Sequence, residues 1–314
     1  MNLICLMPVK NEDWVLGLSL RAALMVCDAV VVLLHDCTDR SLEIAQDIRR
    51  EFLDDSHRWV HILQRAGATW TERADRWSML QLARTRGATH IMTIDADEVL
   101  TGNLLGLVKP DWRDIRSNLE NYSAPDILCL PWLALPRTLD RYLTSGTWGP
   151  NQFASVAFKD RREWYWDPQP QNGYDLHHRA PMSFGDPARA IAPLKPAEGG
   201  IMHLQFLSER RLRAKQALYQ MNEILRWPFP RPAGMTPHIK GPEDLATMYG
   251  KAVYESDPLG FESAPVPASW WAPYSHLMKY LHIDAEPWQE AEVKRLISEH
   301  GRGKFKGLDL FGVA

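Results

Sequence analysis

Residues 91–98 read Ile-Met-Thr-Ile-Asp-Ala-Asp-Glu. An apolar run that stops in three carboxylates within four residues is the pattern of a buried strand emerging at the rim of a sheet. Asp95, Asp97 and Glu98 then crowd together, and like charges at that range repel unless something opposes them. A hard divalent cation is the usual opposing charge, held by oxygen ligands and holding a substrate phosphate in turn. The competing reading is a surface turn with solvated acids. The apolar run favours the first, because α/β sheets bind ligands beyond the carboxyl ends of their strands.

The elements around this cluster alternate. An apolar run over residues 3–9 breaks at Pro8 and reads as a first strand. Residues 12–26 place Trp14, Val15, Leu18, Ala22 and Met25 at helical spacing. Val30, Val31, Val32 and Leu33 form a β-branched run suited to a strand buried on both faces. A polar loop, His35 to Asp39, leads to a helix over 40–52, and Asp39 is placed to cap it. A third strand is expected at 59–63, a helix at 72–86 closed by Gly87, and a fourth strand at 89–94. This alternation predicts a mostly parallel sheet with right-handed crossovers. Three polar clusters fall at its strand ends: Lys10-Asn11-Glu12, His35 to Asp39, and Asp95 to Glu98.

Beyond Leu100 the alternation fails. A buried strand is expected at 126–133. Residues 139–200 are rich in Trp, Pro, Gly and His, with short strands expected at 152–158 and 190–193. Long irregular stretches of this kind are often binding loops. Residues 200–206 read as a last strand carrying His203. Ser208 caps a helix running to Arg226, residues 227–273 are Pro-rich and weakly patterned, and a final helix spans 287–300. The expected organisation is a catalytic domain over residues 1–206, with acceptor loops at about 136–200, and a helical, Pro-rich extension over 207–314.

The chain has 314 residues, 45% hydrophobic and 24% charged, with a net charge of -3. That is an ordinary globular composition without the basic footprint of a general nucleic-acid binder. Its four cysteines, Cys5, Cys27, Cys37 and Cys129, contain no CxxC pair, which argues against a zinc site. Free buried thiols suit a reducing compartment. No basic leader and no apolar run of membrane-spanning length are present, so a cytoplasmic protein is expected.

Four segments together resemble a family 2-like glycosyltransferase of the GT-A fold. Met7-Pro8-Val9-Lys10-Asn11-Glu12 resembles the opening strand and loop. Residues 31–39 followed by Ser41 resemble the second strand with its acidic loop. Residues 72–83 and then Gly87-Ala88-Thr89-His90 resemble the helix before the metal motif, and Asp95-Ala96-Asp97-Glu98 the Asp-x-Asp motif itself. Residues 201–204, with the helix after Ser208, are similar to a later segment in which a strand-borne histidine reaches the metal or diphosphate. The loop departs from the family in carrying His35 where many members have an acid.

The resemblance implies a nucleotide-sugar donor, with UDP-sugar the first expectation, and manganese or magnesium as cofactor. A divalent cation offsets the charge that builds on the departing diphosphate. Asp97 is the first choice of ligand, with Asp95 on the ribose or on the metal through water, Glu98 supporting them, and His203 as a third ligand. Nitrogen in the set favours manganese. Pro8, Lys10, Asn11, Glu12, Asp36, Arg73 and Arg76 complete the expected donor site. The two arginines can instead be solvated helix residues, and His203 an ordinary buried histidine.

An inverting transfer needs a base for the acceptor hydroxyl. Glu163, Asp167, Asp175 and Glu198 are the available acids, with Asp167, Asp175 and Glu198 the candidates carried forward, and nothing in the sequence chooses among them. Trp164, Trp166, His177 and His178 are expected to face the acceptor, although tryptophan is also ordinary core material. The acceptor class stays open among glycan, lipid-linked sugar, protein and modified nucleic-acid base.

Three other classes compete. A haloacid-dehalogenase-like phosphatase carries its Asp-x-Asp after the first strand, not the fourth. A nucleotidyltransferase normally opens on a Gly-rich loop, and this chain has no glycine before Gly17. A sugar- or nucleic-acid-binding module would keep the fold without turnover.

Overall fold

The computed structural model describes residues 1–53, 58–67, 72–106, 114–121, 126–149, 151–167, 179–183, 189–227, 229–230, 239–254 and 261–313. In chain order the elements are β1 (Leu3–Val9), α1 (Leu16–Leu24), β2 (Ala29–His35), α2 (Ser41–Glu51), β3 (Trp59–Arg65), α3 (Glu72–Thr85), β4 (His90–Thr93), β5 (Glu98–Leu100), α4 (Ile115–Asn121), β6 (Asp126–Ala134) and β7 (Arg141–Leu143). There follow β8 (Phe153–Lys159), β9 (Trp164–Tyr165), β10 (Met182–Ser183), β11 (Arg189–Ile191), β12 (Ile201–His203), α5 (Glu209–Arg226), α6 (Pro242–Tyr254), β13 (Ser263–Pro265), α7 (Ala268–Trp271) and α8 (Trp288–His300).

The chain forms two compact units. The first comprises Met1–Leu133, Gln152–His203 and Pro267–His282. Its sheet runs β3-β2-β1-β4-β8-β6-β12-β5, with β11 paired to β6. The β1–β2, β2–β3 and β1–β4 pairs are parallel, while β8 is antiparallel to both β4 and β6. This curled, mostly parallel sheet flanked by helices is consistent with the expected Rossmann-like GT-A fold.

Burial follows from residue type. Every residue of β1 and β2 is buried, as the unbroken apolar runs require of strands covered on both faces. On one face Ile4, Leu6, Val31 and Leu33 pack with Met79, Leu80 and Ala83 of α3 and with Phe158, Trp164 and Trp166. The α1 helix is buried throughout except at Arg21.

The second unit comprises Ala134–Asn151, Leu204–Val266 and Ile283–Ala314. Here α5 packs on α6 and α8 through Leu212, Ala217, Leu218, Met221, Ala252, Val253, Val293 and Leu296. The Ser208 hydroxyl accepts from Arg211 N at 3.3 Å and caps α5. β7 and β13 form a separate antiparallel ribbon.

Some elements differ from expectation. The stretch expected to be weakly patterned holds α6 and β13. The strand expected over 200–206 is only three residues long and passes into a 3-10 turn, Leu204–Phe206. Among the described residues no helix is long and apolar enough to cross a membrane.

Candidate active site

β4 ends at Thr93, and the chain turns sharply through Asp95 to Glu98, closed by a Glu98 N to Asp95 O hydrogen bond of 3.1 Å. The turn leads into β5, whose antiparallel partner β12 sets His203 opposite Glu98. Topology thus gathers the acids and the histidine at the carboxyl end of the sheet, beside the β1–β4 pair where the strand order reverses.

Two of the three acids are buried. Asp97 is 5% exposed and Glu98 0%, which rules out a solvated surface turn. Two arginines oppose them. Arg76, fully buried on α3, donates Nε to Glu72 Oε1 at 2.7 Å and Nη2 to Asp95 Oδ1 at 2.9 Å. Arg179 donates to Asp95 Oδ2 at 2.6 Å and to both oxygens of Glu98, at 2.7 and 2.6 Å. Burial disfavours the charge on both guanidiniums, but the carboxylates outweigh it. Glu72 and Asp95 do so for Arg76, and Asp95 and Glu98 for Arg179, so both pKa values lie above the ordinary one. Glu98 also accepts from Trp132 Nε1 at 2.6 Å and from Asp95 N at 3.0 Å.

Asp97 lies beside a histidine. Its Oδ2 lies 3.6 Å from His203 Nε2, and His203 stacks on Trp132. That separation is beyond hydrogen-bond length. It is within the span of two ligands that each bind one small cation at about 2.1 Å. Among the described residues no group of three or more His, Cys, Asp and Glu side chains forms a cation cage. A cation held by Asp97 and His203 would have to draw its remaining ligands from substrate phosphate and water.

The rest of the rim lies beyond β1 and β2. Pro8 is buried within β1. Lys10 donates Nζ to the Asp36 carbonyl at 2.6 Å and lies 3.3 Å from its carboxylate, which is 43% exposed. Asn11 and Asp36 both take positive φ, 54° and 46°, a conformation that Asn and Asp tolerate better than most residues. Asn11 Oδ1 accepts from Thr38 N at 2.7 Å and ties the two loops together. Glu12 N donates to Ser41 Oγ, and its carboxylate accepts from Trp14 Nε1. Asp39 accepts from Ser41 N and Asp13 N, each at 2.9 Å, so it holds the start of α2 and leaves Asp36 as the exposed acid. His35 is buried, set between Asp75 Oδ2 and the Gly67 carbonyl, each at 2.9 Å. Arg73 is half-buried on α3.

The expected acceptor residues divide. Trp164 and Trp166 are fully buried against Phe158. They are core packing, and the expectation that they present open faces to an acceptor is corrected accordingly. Glu198 accepts from Lys195 N at 2.8 Å and caps its own 3-10 turn. Asp167 is half-buried just after β9. Asp175, His177 and His178 lie outside the described residues. Sequence reasoning gave no role to Arg179, Trp132 or Glu72. Only the i, i+4 spacing of Glu72 and Arg76 on a helix is a local signal.

No family model and no curated protein matches the chain. It is similar to two crystal structures of S. aureus TarS. For TarS 1-349, identity is 12% and the TM-score 0.36, over 51% of this chain and 47% of that one. For the other, identity is 12% and the TM-score 0.41, over 98% of this chain and 55% of that one. A mannose-1-phosphate geranyltransferase from Thermus thermophilus is similar at 12% identity and a TM-score of 0.27, over 80% of this chain and 68% of that one. The chain thus spans about half the length of the TarS structures. Likeness at this level leaves the question of activity to the chemistry of the site.

Proposed function

We propose that this chain is a cation-dependent glycosyltransferase. It would move a sugar from a nucleoside-diphosphate donor, UDP-sugar in the first instance, to an acceptor hydroxyl. The observation that carries the reading is the Asp97–His203 pair, 3.6 Å apart at the carboxyl end of the sheet, next to acids already neutralised by arginine.

Under this reading Asp97 and His203 hold manganese, or magnesium, against the donor diphosphate. The cation offsets charge on the leaving diphosphate. The chain's own residues do the rest. Asp36 offers an exposed carboxylate to the nucleobase, with Lys10 fixing its loop, while Asn11 and Glu12 order the opening between β1 and α1. Asp95 faces the ribose with its carboxylate aimed by Arg76 and Arg179. Arg76 Nη1 is buried with no acceptor among the described residues, and a buried donor in that state favours a ligand oxygen. Arg73 on the same helix is a second phosphate donor. Asp167 and Asp175 remain candidate bases, and Glu198 would first have to leave its cap.

Calorimetric titration of UDP with manganese tests the reading. Wild type should bind, and Asp97→Ala should lose the cation-dependent part while unfolding as cooperatively as wild type. Unchanged binding by that variant would sink the assignment. Donor hydrolysis by the purified protein separates a transferase from a binding module, and phosphate release from a monoester would point to a phosphatase.

A further inference from the structure

Three acids within four residues pose an electrostatic problem that an opposing charge must answer. Here the fold answers most of it. Asp95 Oδ1 lies on Arg76 and Oδ2 on Arg179. Glu98 Oε1 accepts from Arg179 and Trp132, and Oε2 from Arg179 and Asp95 N. All four oxygens already accept hydrogen bonds, most of them from a guanidinium, and such charge-assisted bonds are the strong ones. A cation on Asp95 or Glu98 would have to displace them. Arg179 makes three of these contacts and is 9% exposed. It also lies over the Trp132 ring, 5.3 Å from the centroid.

We propose that Arg179 is a positioning residue, the fixed counter-charge of the acid turn, which shapes Asp95 and Glu98 without metal and confines cation binding to Asp97 and His203. The second half of that statement rests on the reading of Asp97 and His203 given above, and the first half does not. Asp95 then acts as an oriented acceptor rather than a direct ligand. The turn is already formed before donor and ion arrive.

The test is thermal unfolding of the full chain in EDTA and in manganese chloride, without nucleotide. Wild type, in which the Asp97–His203 pair lacks the donor phosphate needed to complete an ion's ligands, should melt within about 1 °C in the two conditions. Arg179→Gln exposes Glu98 and Asp95 to each other and creates a set of acids that wants a cation. It should melt lower in EDTA and gain at least about 3 °C with manganese. Arg179→Lys keeps the charge and should remain indifferent to manganese. An Arg179→Gln protein that responds no more than wild type overturns the proposal.

Should Arg179→Gln not fold, the double variant Glu98→Gln/Arg179→Gln removes both charges and should fold and ignore manganese. A double variant that is as disrupted as the single overturns a charge-based role. Repeating Arg179→Gln in an Asp97→Ala background should preserve the manganese response. If that response persists while wild type fails to bind UDP, the glycosyltransferase reading falls and the role of Arg179 stands.

Discussion

The Trp132 indole lies nearly flat on the His203 imidazole, with ring centroids 4.4 Å apart and planes inclined by 15°. The same indole donates its N–H to Glu98. One side chain therefore sets the plane of the histidine and holds the acid turn. If His203 holds the cation as proposed, partners that orient it should matter by about 10–100-fold in affinity. Trp132→Ala should weaken manganese-dependent UDP binding within that range, measured by calorimetry. Trp132→Phe keeps a stacking face and loses only the donor, so its loss should be smaller. Equal losses in the two variants would show that the stack contributes nothing.

Arg76 is the other counter-charge, and its burial is complete. Glu72 is also buried, so Arg76→Met would take from an interior carboxylate the guanidinium that bonds it and leave Asp95 with Arg179 alone. Breaking a buried ion pair from one side costs about 3–5 kcal/mol. The urea midpoint should fall accordingly with an unchanged slope. Arg76→Lys should fall between the two, because an ammonium cannot fork between Glu72 and Asp95. A loss of stability below about 1 kcal/mol for Arg76→Met would mean that water already shields these acids.

Cys37 sits in the loop after β2 and accepts from Asn11 N, in the loop after β1, at 3.4 Å. It is half-buried, whereas Cys5, Cys27 and Cys129 are buried. Burial pushes its thiol up to about 11, and the Asn11 amide only partly offsets this. The sign is that of a neutral thiol protected from ionisation. At pH 8 its thiolate fraction should be about 100-fold below that of an ordinary cysteine. Higher intrinsic nucleophilicity returns part of that factor. Alkylation by iodoacetamide, followed by mass spectrometry, should be at least about tenfold slower than for glutathione, and should accelerate as pH approaches 11. Reaction at the glutathione rate would show that the loop opens readily.

What could be read from the sequence was local. The apolar runs of β1 and β2 predicted strands covered on both faces, because a strand's burial is written in its own residues. The acid turn was visible for the same reason. Its solution was not. Arg179 meets Glu98 across 81 positions and Trp132 meets it across 34, and no spacing rule reaches so far. Local pattern therefore posed the electrostatic problem without naming the arginines that answer most of it. Trp164 and Trp166 failed differently: an aromatic pair reads alike whether it lines a sugar site or fills a core. The α6 helix was missed because its buried face includes Gly250 and Ala252, small residues that give little periodic signal between proline-rich flanks.

Gly200 offers a last test of how the site is held, just before the strand that places His203. A methyl group there would lie 2.2 Å from the Pro131 carbonyl oxygen, a backbone atom on β6 that cannot swing aside. Gly200 O also accepts from Thr101 N at 2.9 Å, which fixes the chain on its other side. Gly200→Ala must therefore push β12 away from β6. Overpacking of this kind costs about 1–3 kcal/mol, and the displaced strand carries His203 away from Asp97. Urea unfolding should register the first effect and UDP titration with manganese the second. Binding should fall by more than the lost stability explains, since the variant remains folded at the titration temperature. Full affinity in a destabilised Gly200→Ala protein would show that His203 is not required where β12 now holds it.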